Sequence, residues 1–280
     1  MPPFQIMGVV NVTPDSFSDG GTFDDDADAV RHARRLVEEG AAIVDVGGES
    51  TRPGAAPVPA EEERRRVVPV VEGLAALGLG GRARISVDTM KLDVARAAVD
   101  AGATYVNDVT AFRHDPELAG LVADRGLECC LMHMLGEPRT MQQDPRYDDV
   151  VSDVKAFLEE RLAAAVAAGV PEERVQLDPG IGFGKTLEHN LELLRRLGEI
   201  AAIGRPVVLG TSRKSFIGRI TGRDVAGRVH GTVATCVLGY ERGARVFRVH
   251  DVAAVADALK VAAATFAAWP TKSPTSTTTS

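Results

Sequence analysis

Cysteine is scarce, with 3 among 280 residues, two of them adjacent at Cys129 and Cys130. So sparse and odd a count excludes a disulfide framework and suits a reducing compartment. Positive charge is in deficit too: 32 Lys and Arg stand against 39 Asp and Glu, a net −7. That balance argues against nucleic acid as the main partner, since phosphate binding needs a basic face. An anionic small substrate stays open, because local cations can outweigh a negative total. No window reaches the roughly 18 uncharged apolar residues of a membrane span. The most apolar stretch, 252–269, carries Asp257 and Lys260 and reads as an amphipathic surface helix. Residues 1–10 lack a basic leader region, so no signal peptide is expected and the cytoplasm is the predicted location. No two histidines have metal-ligand spacing, which argues against a protein-built zinc site.

What is present is an ordinary core: 45% of residues are hydrophobic and 25% charged. Such a chain can bury one sizeable core without staples. The Ser- and Thr-rich end, 270–280, has nothing to bury and is expected to be a disordered tail, leaving 1–269 as one domain.

Short β-rich runs recur at 5–12, 42–47, 84–88, 104–109, 127–133, 175–178, 206–210 and 244–250. Most are nearly continuous in Val, Ile and Leu, as strands buried on both faces require. Helical patterns lie between them, at 24–39, 60–77, 92–101, 116–125, 149–168, 187–203, 227–242 and 252–267. Gly40, Gly102, Gly126, Gly169 and Gly243 stand where helix C-caps are wanted. About eight β–α units in this length predict a (β/α)8 TIM barrel. The alternative, a doubly wound sheet, wants a G-x-G-x-x-G turn after its first strand. Here the first strand runs instead into Asn11-Val-Thr-Pro-Asp-Ser-Phe-Ser-Asp-Gly-Gly.

In a barrel the C-terminal strand ends face the active site. Polar residues gather there: Asn11, Asp45, Asp88, Asn107 and Asp108, His133, Asp178, then Ser212-Arg-Lys-Ser and Arg248-Val-His-Asp. Each has a structural reading as well. Asp88 can cap the next helix, Asn107 and Asp108 can close a turn, Asp45 can be a satisfied buried carboxylate, and His133 a packed strand-end ring. His32, His114 and His189 read as surface residues. The convergence resists those readings. Asp88, Asn107 and Asp178 offer carboxylates and a carboxamide to a flat, nitrogen-rich heterocycle. Lys214 and Arg248 supply charge and a stacking surface. Asn11 and His250 become neighbours on closure and suit a diphosphate, directly or through Mg2+. One decoy drops out: the run ending Gly184-Lys185-Thr186 fails the P-loop spacing, because Pro179 stands where glycine is needed.

The ordered set Asn11-Val-Thr-Pro-Asp-Ser-Phe-Ser-Asp-Gly-Gly, Glu49-Ser-Thr-Arg-Pro-Gly, Ser86-Val-Asp-Thr, Val106-Asn-Asp-Val, Leu177-Asp-Pro-Gly-Ile-Gly-Phe-Gly-Lys, Ser212-Arg-Lys-Ser and Arg248-Val-His-Asp strongly resembles the dihydropteroate synthases. The resemblance implies a folate-pathway transferase that joins a dihydropterin diphosphate to 4-aminobenzoate, with Mg2+ as cofactor. It implies that Asp88, Asn107, Asp178 and Lys214 hold the pterin while Arg248 stacks on it. Asn11, the metal residue, would act with Arg248 and His250 on the diphosphate, with Thr51 nearby. Arg52, Pro53, Phe183 and Ser215 would form the aminobenzoate pocket. The loops 13–21 and 49–58 would be covers that order on binding, and a homodimer is expected. Asp178, Lys214 and Asp88 are the catalytic expectation, as electrostatic holders of a cation-like pterin. Three rivals stay open: a corrinoid methyltransferase, a class I aldolase using Lys214, and an inactive pterin-binding paralogue.

Overall fold

The computed structural model describes residues 3–13, 25–52 and 54–266. Eight parallel strands close into a barrel in chain order: β1 Gln5–Asn11, β2 Ile43–Gly47, β3 Arg84–Asp88, β4 Tyr105–Asp108, β5 Glu128–Met132, β6 Val175–Asp178, β7 Val207–Leu209 and β8 Ala244–Val249. Around it lie α1 Asp25–Glu38, α2 Ala60–Ala76, α3 Leu92–Asp100, α4 Glu117–Asp124, α5 Val150–Ala167, α6 Leu187–Arg195, α7 Leu197–Ala201, α8 Ser215–Thr221, α9 Val229–Glu241 and α10 Val252–Phe266. The TIM barrel expected from the alternation is therefore the fold. Loop 13–21 beyond Thr13, Pro53 and the tail 270–280 lie outside the described residues.

The strands read as continuous apolar runs because both of their faces are covered. Outward residues such as Val10, Val44, Val87, Val106, Leu131 and Leu177 pack with the helices in one large core. The inward face is layered differently. A thin apolar disc of Met7, Ile43, Tyr105, Cys130, Val208 and Val246 crosses the barrel. Below it, at the N-terminal strand ends, Arg84 pairs with Glu128 and donates to Gln5 Oε1 at 2.6 Å. Tyr105 donates to Gln176 Oε1 at 2.9 Å. The underside is a hydrogen-bonded polar plug, and the C-terminal mouth carries a second polar layer above the disc.

Details at the helices depart from the sequence pattern. The predicted helix at 187–203 breaks at Arg196 (φ −103°, ψ 22°) into α6 and α7. The seven-residue α8 went unpredicted, too short to show a helical period. The predicted helix at 227 starts as a 3-10 turn, Ala226–Arg228, before α9. His189, expected on the surface, caps α6 reciprocally with Thr186. The five C-cap glycines all adopt positive φ, as a left-handed C-cap requires.

A bulge sets the phase of β8. Val207 pairs with Ala244 but Val208 with Val246, which leaves Arg245 over. An extra residue inverts the alternation beyond it, so Val246 and Arg248 point inward while Phe247 joins the outer core. No helix among the described residues is long and apolar enough to cross a membrane. All three cysteines are free and buried. Burial pushes every thiol up, Cys236 to about 12, which leaves none suited to act as a thiolate.

Candidate active site

Register alone brings the predicted residues to one mouth. Asp88 at the end of β3 is level with Gly47 on one side and Asn107 on the other. Asp178 ends β6 level with Met132, and Arg248 rises from β8 beside Met7 of β1. Asn107 and Asp178 are 5% exposed, and Asp45 is fully buried.

Asp45 is the hub. Its two oxygens accept from Ser86 Oγ at 2.6 Å, Asn107 Nδ2 at 3.0 Å and Arg248 Nε at 2.6 Å. Arg248 Nη2 in turn donates to Asp88 Oδ2 at 2.6 Å. The guanidinium is thus held edge-on by two carboxylates, which fixes its plane and leaves its faces available for stacking. Neither carboxylate caps a helix, since α3 begins after Lys91. Burial among other carboxylates, against the pull of Arg248, lifts the Asp88 carboxyl to about 7. Burial also raises Asp178, opposed by Lys214 and by the Gly180 amide, which donates to Asp178 Oδ1 at 2.7 Å.

Lys214 lies beyond the end of β7 and reaches back over the mouth. It donates to the Ile181 carbonyl and stands 4.7 Å from the centre of the Phe183 ring. Desolvation lowers it to about 8. Gly210 leaves room where these groups meet: a Cβ there would lie 3.7 Å from both Asp178 Oδ2 and Lys214 Nζ, and 4.0 Å from Arg248 Cβ. In the loop bearing Phe183, Gly180 and Gly184 cannot take side chains. A Cβ on Gly180 would stand 1.8 Å from the His133 carbonyl. Burial and the nearby cations Arg248 and Arg213 lower His250 to about 4. The imidazole is therefore neutral at pH 7, and its Nδ1 lies 3.0 Å from Ser212 Oγ.

Asn11 sits half-buried at the end of β1. Thr51 is half-buried and Arg52 exposed on the loop after β2, and Arg52 adds to the positive field at His250. Ser215 opens α8 and is exposed beside a cleft of about 740 Å³, shared with Gln142 and Arg219, which none of the interior carboxylates lines. Asp108 follows its structural reading: it accepts from the Thr110 and Phe112 amides at 2.7 Å each and closes the turn. His133 is likewise packed, its ring edge-on to Phe157 at 4.8 Å.

The whole span from 7 to 250 matches the model of the pterin binding enzyme family. The dihydropteroate synthase of Mycobacterium leprae is 49% identical over 275 residues, covering 96% of this chain and 95% of its own. The chain belongs to the dihydropteroate synthase family. Among solved structures, Xanthomonas albilineans dihydropteroate synthase with 4-aminobenzoic acid superimposes with a TM-score of 0.88 at 51% identity, covering 94% and 93% of the two chains. The same organism's enzyme in complex with 7,8-dihydropteroate gives 0.85 at 48% identity, covering 94% of each.

The expected site was incomplete in one respect. Asp45 was open to either reading, and its partner Arg248 lies 203 residues away in sequence. The available signal was its register: two residues from Gly47 on β2, it shares the inward face with Ser86 of β3.

Proposed function

We propose that the chain catalyses the condensation of 6-hydroxymethyl-7,8-dihydropterin diphosphate with 4-aminobenzoate, giving 7,8-dihydropteroate and pyrophosphate. The observation that carries this reading is the ring of Asp88, Asn107, Asp178, Lys214 and Arg248 around one mouth, in a chain of this family. Asp178 and Asn107 match the donor–acceptor edge of a pterin, and Lys214 meets its ring oxygen or nitrogen. Arg248, its plane fixed by Asp45 and Asp88, stacks on the heterocycle.

The reaction breaks the methylene C–O bond and forms a C–N bond to the amine, which loses one proton. No described cysteine or strand lysine offers a covalent route, and the mouth is instead rich in buried acceptors. That favours a dissociative substitution, in which diphosphate departs before the amine attacks. Asp178 and Asp88 then stabilise positive charge delocalised over the pterin, while fixed positions replace the need for a strong base. Phe183, Arg52 and Ser215 seat the aminobenzoate, with its carboxylate towards Ser215. The loop carrying Thr51 closes over the cation and excludes water.

Asn11 is half-buried at the end of β1, and the described residues hold no cluster of three His, Cys, Asp or Glu for a metal. One neutral oxygen suits Mg2+, which takes most of its ligands from phosphate and water. Asn11 would hold it with the diphosphate, beside neutral His250 and Arg248, and when bound it supplies charge neutralisation of the leaving group. We also infer a cytoplasmic homodimer, supported by the scarcity of cysteine and by the exposed Leu238 and Val261 on α9 and α10.

The deciding experiment mixes protein, Mg2+, the pterin diphosphate and 4-aminobenzoate, and follows dihydropteroate by mass spectrometry. Several turnovers per chain are expected. Tight pterin binding without product would instead mark an inactive binding protein.

A further inference from the structure

The loop after β2 is tied at its base. Glu49 Oε1 accepts from the Val58 amide at 2.9 Å, which closes the loop's two ends on each other. Arg66 of α2 donates to the Gly48 carbonyl at 2.9 Å. A third tie comes from outside both elements. Lys91 Nζ donates to Glu49 Oε2 at 2.7 Å, to the Val58 carbonyl at 2.7 Å and to Glu63 Oε2 at 2.5 Å. One nitrogen therefore joins the loop, helix α2 and the turn that follows β3.

That turn is the one bearing Asp88, three residues before Lys91. Glu63 is fully buried, and its second oxygen has no hydrogen-bond partner. A buried carboxylate left half-satisfied is a costly feature. Joining α2 to the β3 turn would need only the Lys91–Glu63 pair. The two further bonds, to Glu49 and to Val58, go to the loop alone, and Glu49 is itself 10% exposed. The arrangement spends all three ammonium hydrogens, two of them on holding a loop in place.

We propose that Lys91 is a positioning residue for the second substrate: it locks the base of loop 49–58 to the turn carrying Asp88, and so fixes Arg52 at the mouth. Its effect falls on 4-aminobenzoate through Arg52, because Asn107, Asp178 and Lys214 touch none of these atoms and Asp88 is held separately by its bond to Arg248. This rests on the function proposed above only for the identity of that substrate.

The test uses the full chain and two readouts. Lys91→Met should raise amide hydrogen exchange over 49–58 in the substrate-free protein by about tenfold, and raise KM for 4-aminobenzoate by a similar factor, the loss of charged hydrogen bonds setting that scale. Affinity for the pterin diphosphate should stay within about twofold, a split that general destabilisation would not produce. Should Lys91→Met fail to fold, Lys91→Met with Glu63→Gln removes the stranded buried charge and is read the same way. Glu63→Gln alone keeps Lys91 on the loop and should leave both readouts within about twofold of the parent. Parent-like exchange over 49–58 in the Lys91 variants overturns the proposal, as does an equal shift in the constants of both substrates. If the parent protein makes no dihydropteroate, the functional reading falls while the exchange measurement still decides the anchor.

Discussion

Arg213 donates to both oxygens of Asp251, from Nε at 2.9 Å and from Nη2 at 2.5 Å. The pair links two of the sequence runs, Ser212-Arg-Lys-Ser and Arg248-Val-His-Asp, and clasps the loop after β7 to the end of β8. Arg213 sits at φ 57°, a left-handed conformation rare for arginine, and its amide donates to Thr232 Oγ1 at 3.0 Å. The clasp is next in sequence to both Lys214 and His250.

Breaking that clasp should therefore damage chemistry more than folding. Arg213 is about one-third exposed, so the pair adds little to stability in water. Asp251→Asn is expected to lower kcat/KM by about tenfold while the melting temperature falls by only a few degrees, roughly the share of one weakened charged hydrogen bond. Steady-state kinetics beside calorimetry checks this. A large fall in melting temperature with kinetics intact would contradict it.

The ammonium of Lys214, lowered to about 8 by desolvation, sets an alkaline limit. With the charged form holding the pterin, as proposed above, kcat/KM should decline as pH rises through about 8. Because burial holds His250 near 4, an inflection near neutral pH should come from Asp88, lifted to about 7, and not from the histidine. A pH–rate profile shows both features at once, and Lys214→Ala should lose the alkaline limb together with about two orders of magnitude in rate.

Asp178 exchanges stability for function. Its carboxyl is raised from 3.8 in the folded protein by burial, so the folded state holds a proton more tightly than the unfolded chain does. The associated stability is present at low pH and lost as pH rises through the folded value. Asp178→Asn removes that loss, so its melting temperature relative to the parent should climb as pH rises above 3.8. The same variant should lose about 10² to 10³ in kcat/KM. A variant whose stability, measured against the parent, falls as pH rises above 3.8 would refute the assignment.

At Asp45 the expectation reverses. Asp45→Ala leaves Arg248 with Asp88 as its one carboxylate partner and strands the Asn107 amide in the barrel, and should destabilise by about 3 kcal/mol, as breaking a buried ion pair does. Ser86→Ala removes one contact to the same carboxylate and should cost about 1 kcal/mol. Chemical denaturation of the two variants gives the comparison directly.

Much of this molecule can be read before it is folded. Valine-rich strands, glycine caps and polar strand ends each carry a local signal, and register then delivers Asp88, Asn107 and Asp178 to one place. What escapes is set by pairing at a distance or by small backbone events. The bulge at Arg245 has no local mark, yet it alone turns Arg248 inward. Asp45 looks the same in sequence whether idle or holding an arginine 203 residues on. Lys91 reads as the residue before a helix, and its three partners come from two other segments, the loop after β2 and helix α2.

The polar plug beneath the apolar disc has a consequence for traffic. With Arg84, Glu128, Gln5 and Gln176 bonded across the underside, the barrel is a well with a single opening. Whatever enters must leave by the way it came, and the first molecule down sits beneath the second. On the proposed site assignment, the pterin diphosphate should load before aminobenzoate. Both products then share one exit, so accumulated pyrophosphate and dihydropteroate should obstruct the next round from above.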